Sequence, residues 1–115
     1  MQKRPMVYKK GDIVTIISQK DNGELQPAVI IQADWFNLGK PPSYILCLIS
    51  SKVYPELDFR PIIKPDNKNC LPVISQVTID KIHTIKSSQI SKKTGELGKQ
   101  HMKEIHGCLK AILGL

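Results

Sequence analysis

The sequence predicts a mainly β fold, a small barrel with one α-helix appended at its C-terminal end. Three observations carry this. Short β-branched runs recur down most of the chain, and clusters of Gly, Pro, Asn and Asp separate them. Near the end the apolar pattern switches to helical spacing. With 115 residues, 41% of them hydrophobic and 23% charged, the chain suits one domain around one core.

Residues 1–10 are polar and basic, contain Pro5, and read as a flexible basic arm ahead of a single domain over 11–115. Gly11-Asp12 turns into Ile13–Ile17, a β-branched run of the buried-strand type. Ser18 to Gln26 is a polar loop in which Asn22-Gly23 favours a turn. Pro27 suits the first residue of a strand, here Ala28 to Gln32. Asp34–Gly39 reads as a short helical turn capped by Asp34, and adjacent Trp35 and Phe36 fit core closure better than base stacking. After Pro41-Pro42, Ser43–Ile49 is a mostly apolar, central strand.

A polar connection through Tyr54-Pro55-Glu56 leads to Phe59–Ile63, placed at an edge because Pro61 cannot donate to a ladder. Beyond the turn-rich Pro65–Asn69, Val73–Thr78 and Lys81–Ile85 read as two strands, or as one strand bent near Asp80. Met102, Ile105, Leu109 and Ile112 form one stripe of a helix that starts near Gly98-Lys99 and stops at Gly114.

Several function classes fall away. The basic N-terminus has no apolar stretch behind it, so it is not a secretory signal, and no apolar run nears the roughly 20 residues of a membrane span. Nor is there a basic amphipathic helix with aromatic anchors for a membrane surface. Cys47, Cys70 and Cys108 are odd in number and form no C-x-x-C, which points to a reducing cytoplasm. His83, His101 and His106 make no metal site: the last two, five apart on a helix, face different directions. No P-loop, G-x-G-x-x-G, H-E-x-x-H or G-x-S-x-G is present, and Cys47 lies within an apolar strand.

The net charge of +7 favours a polyanionic partner, although a lysine-rich soluble surface gives the same number. Of 17 basic residues only Arg4 and Arg60 are arginines, and Arg60 alone lies in the folded body. Places for a planar two-bond phosphate clamp are therefore few.

Short pieces then line up in a familiar order. They are Lys10-Gly11-Asp12-Ile13-Val14, then Gln26-Pro27-Ala28-Val29-Ile30-Ile31-Gln32 with Phe36-Asn37, then Leu48-Ile49-Ser50-Ser51. Next come Ser75-Gln76-Val77-Thr78-Ile79-Asp80-Lys81 with Thr84-Ile85, and last Gly95-Glu96-Leu97 and the closing Leu109–Leu115 segment. In these pieces, from Lys10 to Leu115, the chain resembles the MazF/PemK (Kid) toxins of type II toxin–antitoxin systems. The resemblance implies an SH3-like β-barrel with a C-terminal helix, usually a homodimer. It also implies a metal-independent, cofactor-free endoribonuclease for single-stranded RNA. In that reaction the ribose 2′-hydroxyl attacks its own phosphate, leaving a 2′,3′-cyclic phosphate and a 5′-hydroxyl. The implied protein partner is a MazE-like antitoxin with a disordered acidic segment.

The family's arginine and threonine positions are occupied here by Gln26 and Ser50. Serine keeps the hydroxyl, whereas glutamine loses the charge and the fork, so cleavage below family level is expected. Asp80 matches an aspartate that serves as base in some members; a strand-end carboxylate paired locally is the plainer reading. Arg60 is a candidate contact to the scissile phosphate, or an ordinary strand-edge arginine. Gln19, Lys20 and Asn22 lie in the loop that covers the family's site, and Ser51 and Gln76 complete the implied RNA-binding set. Two alternatives stand beside the enzyme: an inactive relative that binds only antitoxin or RNA, and a CcdB-like gyrase poison. The latter would want a tryptophan near the C-terminus, but Trp35 is the only one.

Overall fold

A computed structural model describes residues 7–17 and 23–115. Six strands follow in order: β1 (Asp12–Ile17), β2 (Leu25–Ile30), β3 (Ser43–Ser50), β4 (Ile62–Ile63), β5 (Ser75–Lys86) and β6 (Ile90–Glu96). Helix α1 (Asp34–Asn37) links β2 to β3, and helix α2 (Lys99–Leu113) ends the chain. The strands form one sheet, β4-β5-β3-β2-β1-β6, with every pair antiparallel. The expected barrel is realised as a curled half-barrel, with β4 and β6 at its edges.

Strand alternation sends neighbouring side chains to opposite faces, and here both faces are packed. Ile13, Val29, Cys47, Ile49, Val77 and Ile79 join Ile63, Leu71, Leu97 and Ile105 of α2 in one cluster. Val14, Ile16, Ala28, Ile30, Tyr44, Leu46 and Ile90 form the other, together with Tyr8. Tyr8 is 6% exposed and meets Tyr44 edge-on, so the packed body reaches back ahead of Gly11. Residues 1–6 of the expected arm lie outside the described residues.

Both ends of α2 fall where expected, with Gly114 left-handed (φ 70°) after the last turn. Its packed stripe is the buried Ile105 with the half-buried Met102, Cys108 and Leu109, whereas Ile112 is 40% exposed. Four differences from the sequence reading stand out. Strand β2 begins at Leu25, ahead of Pro27, and ends at Ile30, two residues before Gln32. The two stretches beyond Asn69 join in a single irregular strand, Ser75–Lys86, the bent alternative, and β4 shrinks to two residues. Helix α1 has Ala33 at its N-cap; Asp34 instead accepts from the Lys10 N–H at 2.7 Å, and Trp35 and Phe36 lie exposed rather than in a core.

Strand β6 was not foreseen. Its Ser91-Lys92-Lys93 centre has no apolar alternation, because an edge strand needs only one paired side and lysines deter further pairing. Gly95 on β6 is obligatory by contact: a Cβ there would be driven onto the backbone carbonyl of Asn69.

Candidate functional site

Two interruptions of the sheet open a cavity of about 560 Å³ at the end of β3. The first is at Pro27. Strand β2 pairs with β3 only from Ala28↔Leu48 to Ile30↔Leu46, although β1 pairs with it as far as Leu25. The Ile31 N–H points to β3, bonding the Ile45 carbonyl at 3.0 Å. Amide directions alternate along a strand, so position 27 also faces β3, and there proline has no N–H to offer. The ladder stops, and Leu25, Gln26 and Pro27 line one wall while Leu48, Ile49, Ser50 and Ser51 line another.

The second interruption is in β5. Between the pairs Cys47↔Ile82 and Ile49↔Val77 the register shifts, so that four residues, Thr78–Lys81, stand across from Leu48 alone. Thr78 Oγ1 donates to the Leu48 carbonyl at 3.0 Å and pins this bulge in place. Bulges re-aim side chains beside binding sites. Here Thr78 and Lys81 line the cavity.

Two buried amides hold the surrounding loops, and their burial is not readable from the sequence. Gln76, 1% exposed, accepts from the Tyr54 N–H at 2.9 Å and donates to the carbonyls of Tyr54, Leu57 and Arg60. Its amide is committed to the 54–60 connection, and Gln76 is not among the residues that line the cavity. Asn69, also 1% exposed, accepts from the Asp66 and Leu71 N–H groups and donates to the Lys64 carbonyl. That loop leads into Leu71, Pro72 and Val73, which form part of the cavity lining.

Gln26, Ser50 and Ser51, brought together from distant sequence positions, thus share one wall system with Lys52 and Lys81. Ser50 Oγ accepts the Lys52 N–H at 3.0 Å, which leaves its own proton free to donate. Arg60 and Asp80 lie together but outside the cavity lining. The guanidinium donates Nε to Oδ1 at 2.7 Å and Nη2 to Oδ2 at 2.9 Å, and Arg60 also sits over the Phe59 ring. These hydrogen bonds from Arg60 hold the Asp80 carboxyl below its ordinary pKa, and the same pairing raises that of Arg60. At neutral pH the pair is two fixed ions: the carboxylate is a weak base, and the arginine fork is already filled. Gln19, Lys20 and Asn22 fall outside the described residues.

A second depression, about 520 Å³, lies between α2 and the sheet, lined by Ile31, Ile45, Ile82, Leu109, Leu113 and Leu115 with Lys10, His106 and Lys110 among them. Burial, followed by the nearby Lys10 charge, lowers the His106 pKa. Burial pushes the Cys47 thiol up to about 11, so it is an inert core group.

Comparison with known proteins adds the lineage. The profile described as "PemK-like, MazF-like toxin of type II toxin-antitoxin system" matches residues 9–113. A probable endoribonuclease MazF of Mycolicibacterium smegmatis is 28% identical over 108 residues, covering 93% of this chain and 97% of that one. Among solved structures, a MazE–MazF complex from Deinococcus radiodurans superposes with a TM-score of 0.78 at 20% identity, covering 96% of this chain and 99% of that one. A mycobacterial endoribonuclease in complex with its cognate antitoxin gives 0.76 at 16% identity, covering 95% of each chain. These last two share the fold.

Proposed function

This chain belongs to the PemK-like, MazF-like toxin family of type II toxin–antitoxin systems, and on that premise we propose that it is an endoribonuclease cutting single-stranded RNA in the cavity beside Pro27. The observation that carries this reading is the meeting of Gln26, Ser50 and Ser51 with two lysines where the ladder between β2 and β3 stops. In the proposed reaction the 2′-oxygen attacks its adjacent phosphorus and the bond to the 5′-oxygen breaks. Ser50 donates its free hydroxyl proton as a hydrogen bond to a phosphate oxygen, and the Gln26 amide offers neutral donors beside it. Asp80 and Arg60, catalytic and RNA-binding candidates by resemblance, act through the bulge that they brace. Gln19, Lys20 and Asn22 contact the RNA from the preceding loop.

Glutamine at position 26 brings no charge to the phosphate, so cleavage is slow for the family. The same observation favours a second reading, an inactive relative that binds RNA or antitoxin without cutting. A gyrase poison is the least supported, since Trp35 is on α1 rather than near the C-terminus. The further proposals are a homodimer, a cognate MazE-like antitoxin with an acidic segment that competes with RNA, and a cytoplasmic setting. No helix among the described residues is long and apolar enough to cross a membrane. The domain begins after a basic N-terminal segment.

The test is cleavage of a long single-stranded RNA in EDTA by the chain as it stands and by Ser50→Ala. Slow cutting that leaves 2′,3′-cyclic phosphate ends, and that Ser50→Ala abolishes, supports the enzyme. Binding of the same RNA with no cutting selects the inactive relative.

A further inference from the structure

We propose that Lys81 is the phosphate-binding cation of this cavity, supplying from β5 the charge that Gln26 does not supply from β2; the proposal rests on the RNA-cleaving reading above. Among the described residues that line the cavity, only Lys52 and Lys81 are cationic. The ion pairs among the described residues join Arg60 to Asp80 and Lys93 to Asp12 and Glu96, so neither cavity lysine is neutralised by one of them.

What separates the two lysines is their footing. Lys52 follows β3 in the exposed connection, whereas Lys81 belongs to the bulge of a twelve-residue strand. That bulge is fixed from both sides, by Thr78 Oγ1 on the Leu48 carbonyl and by Asp80 in the two-bond clasp of Arg60. Charges presented from rigid strands hold a reacting group more closely than charges on loops. The clasp does a second thing. Asp80 is the carboxylate next to Lys81 in the chain, and pairing it with Arg60 offsets the negative charge that would otherwise attract the ammonium.

The chemistry asks for no proton from Lys81. As the 2′-oxygen bonds to phosphorus, its proton leaves to a base, the bond to the 5′-oxygen breaks, and that oxygen takes up a proton. Negative charge gathers meanwhile on the non-bridging oxygens, where an ammonium donor in a partly enclosed pocket stabilises it.

The test compares Lys81→Ala, Lys81→Arg, Lys52→Ala and Lys81→Ala with Gln26→Arg, all in the full chain. Two readouts are taken: cleavage at saturating RNA, and binding of an uncleavable RNA carrying 2′-deoxy sugars. Lys81→Ala is expected to slow cleavage about 10²–10³-fold, more in kcat than in KM. Lys81→Arg keeps most of the rate, and Gln26→Arg restores it in the Lys81→Ala background. The slope of log affinity against log salt should become shallower by about 0.7 in Lys81→Ala.

Parental cleavage and an unchanged salt slope in Lys81→Ala would overturn the proposal. A larger kcat loss in Lys52→Ala, or no rescue by Gln26→Arg, would do the same. If no variant cuts RNA, the cleavage reading fails separately, and the salt slope decides whether Lys81 holds a phosphate.

Discussion

Two hollows of similar size, about 560 and 520 Å³, occupy this small sheet, and they are built in opposite ways. The one beside Pro27 comes from breaking the hydrogen-bond ladder, once by a missing donor and once by a bulge, and it collects amides, hydroxyls and lysines. The one beneath α2 comes from leaving apolar side chains such as Ile45 and Ile82 uncovered while the ladder between their strands stays regular. A broken ladder leaves backbone groups and polar side chains free to meet a charged ligand. An intact ladder beside the end of a helix leaves mainly apolar surface, suited to water exclusion.

If the polar hollow falls short of its family only in the charge missing from its β2 wall, which Lys81 replaces in part, Gln26→Arg should show the largest effect of any single change. Cleavage of single-stranded RNA is expected to rise about 10²–10³-fold, the inverse of removing one preorganised donor. An RNA-binding Gln26→Arg variant that cuts no faster would mean that the two walls are not placed for this reaction. A structural break comes next. Gly95→Ala drives a methyl onto the Asn69 carbonyl and dislodges the loop beneath the cavity, at an expected cost of about 3 kcal/mol in urea denaturation. The α2 hollow does not depend on that loop, so in whatever fraction stays folded an apolar dye bound there should keep its affinity while RNA affinity falls.

Gln76→Ala comes third. It strands the Tyr54 N–H and three carbonyls, and about 2 kcal/mol should be lost. The smallest effect concerns Asp80, whose folded pKa is depressed by the Arg60 hydrogen bonds. Its stabilisation is then fully present above the unfolded value of about 4 and is lost as pH falls through the folded value. Unfolding free energies of the parent and Asp80→Asn, taken from urea denaturation between pH 7 and 2, should differ by about 1 kcal/mol at neutrality and converge in acid. A gap that widens on acidification would break the account of the Arg60 clasp.

What the sequence disclosed follows the physics of each signal. The β-branched run at 13–17, the mostly apolar run at 43–49 and the Gly-bounded helix at the end are local patterns, and they lead directly to β1, β3 and α2. Strand β6 escaped because an edge strand with lysines at its centre has neither alternation nor apolar density. At the site, Gln26, Ser50 and Ser51 were named by resemblance, and the fold brings them to one cavity. Lys81 and Thr78 lie in the 75–81 segment with no local mark of a site residue, since only a register shift between β3 and β5 turns them to the cavity. Asn69 reads as an ordinary polar residue and Gln76 as an RNA contact by resemblance, and the burial of both depends on loops folding back over many positions.

Pro27 has a consequence for how this sheet meets other chains. A gap between two strands is an invitation to an extended peptide, which can enter and complete the ladder. Along the β2 side of this gap the donor that such an intruder would need is absent, so it would leave one of its own carbonyls without a partner. The opening proposed for a nucleic acid backbone is thereby a poor seed for strand exchange and aggregation.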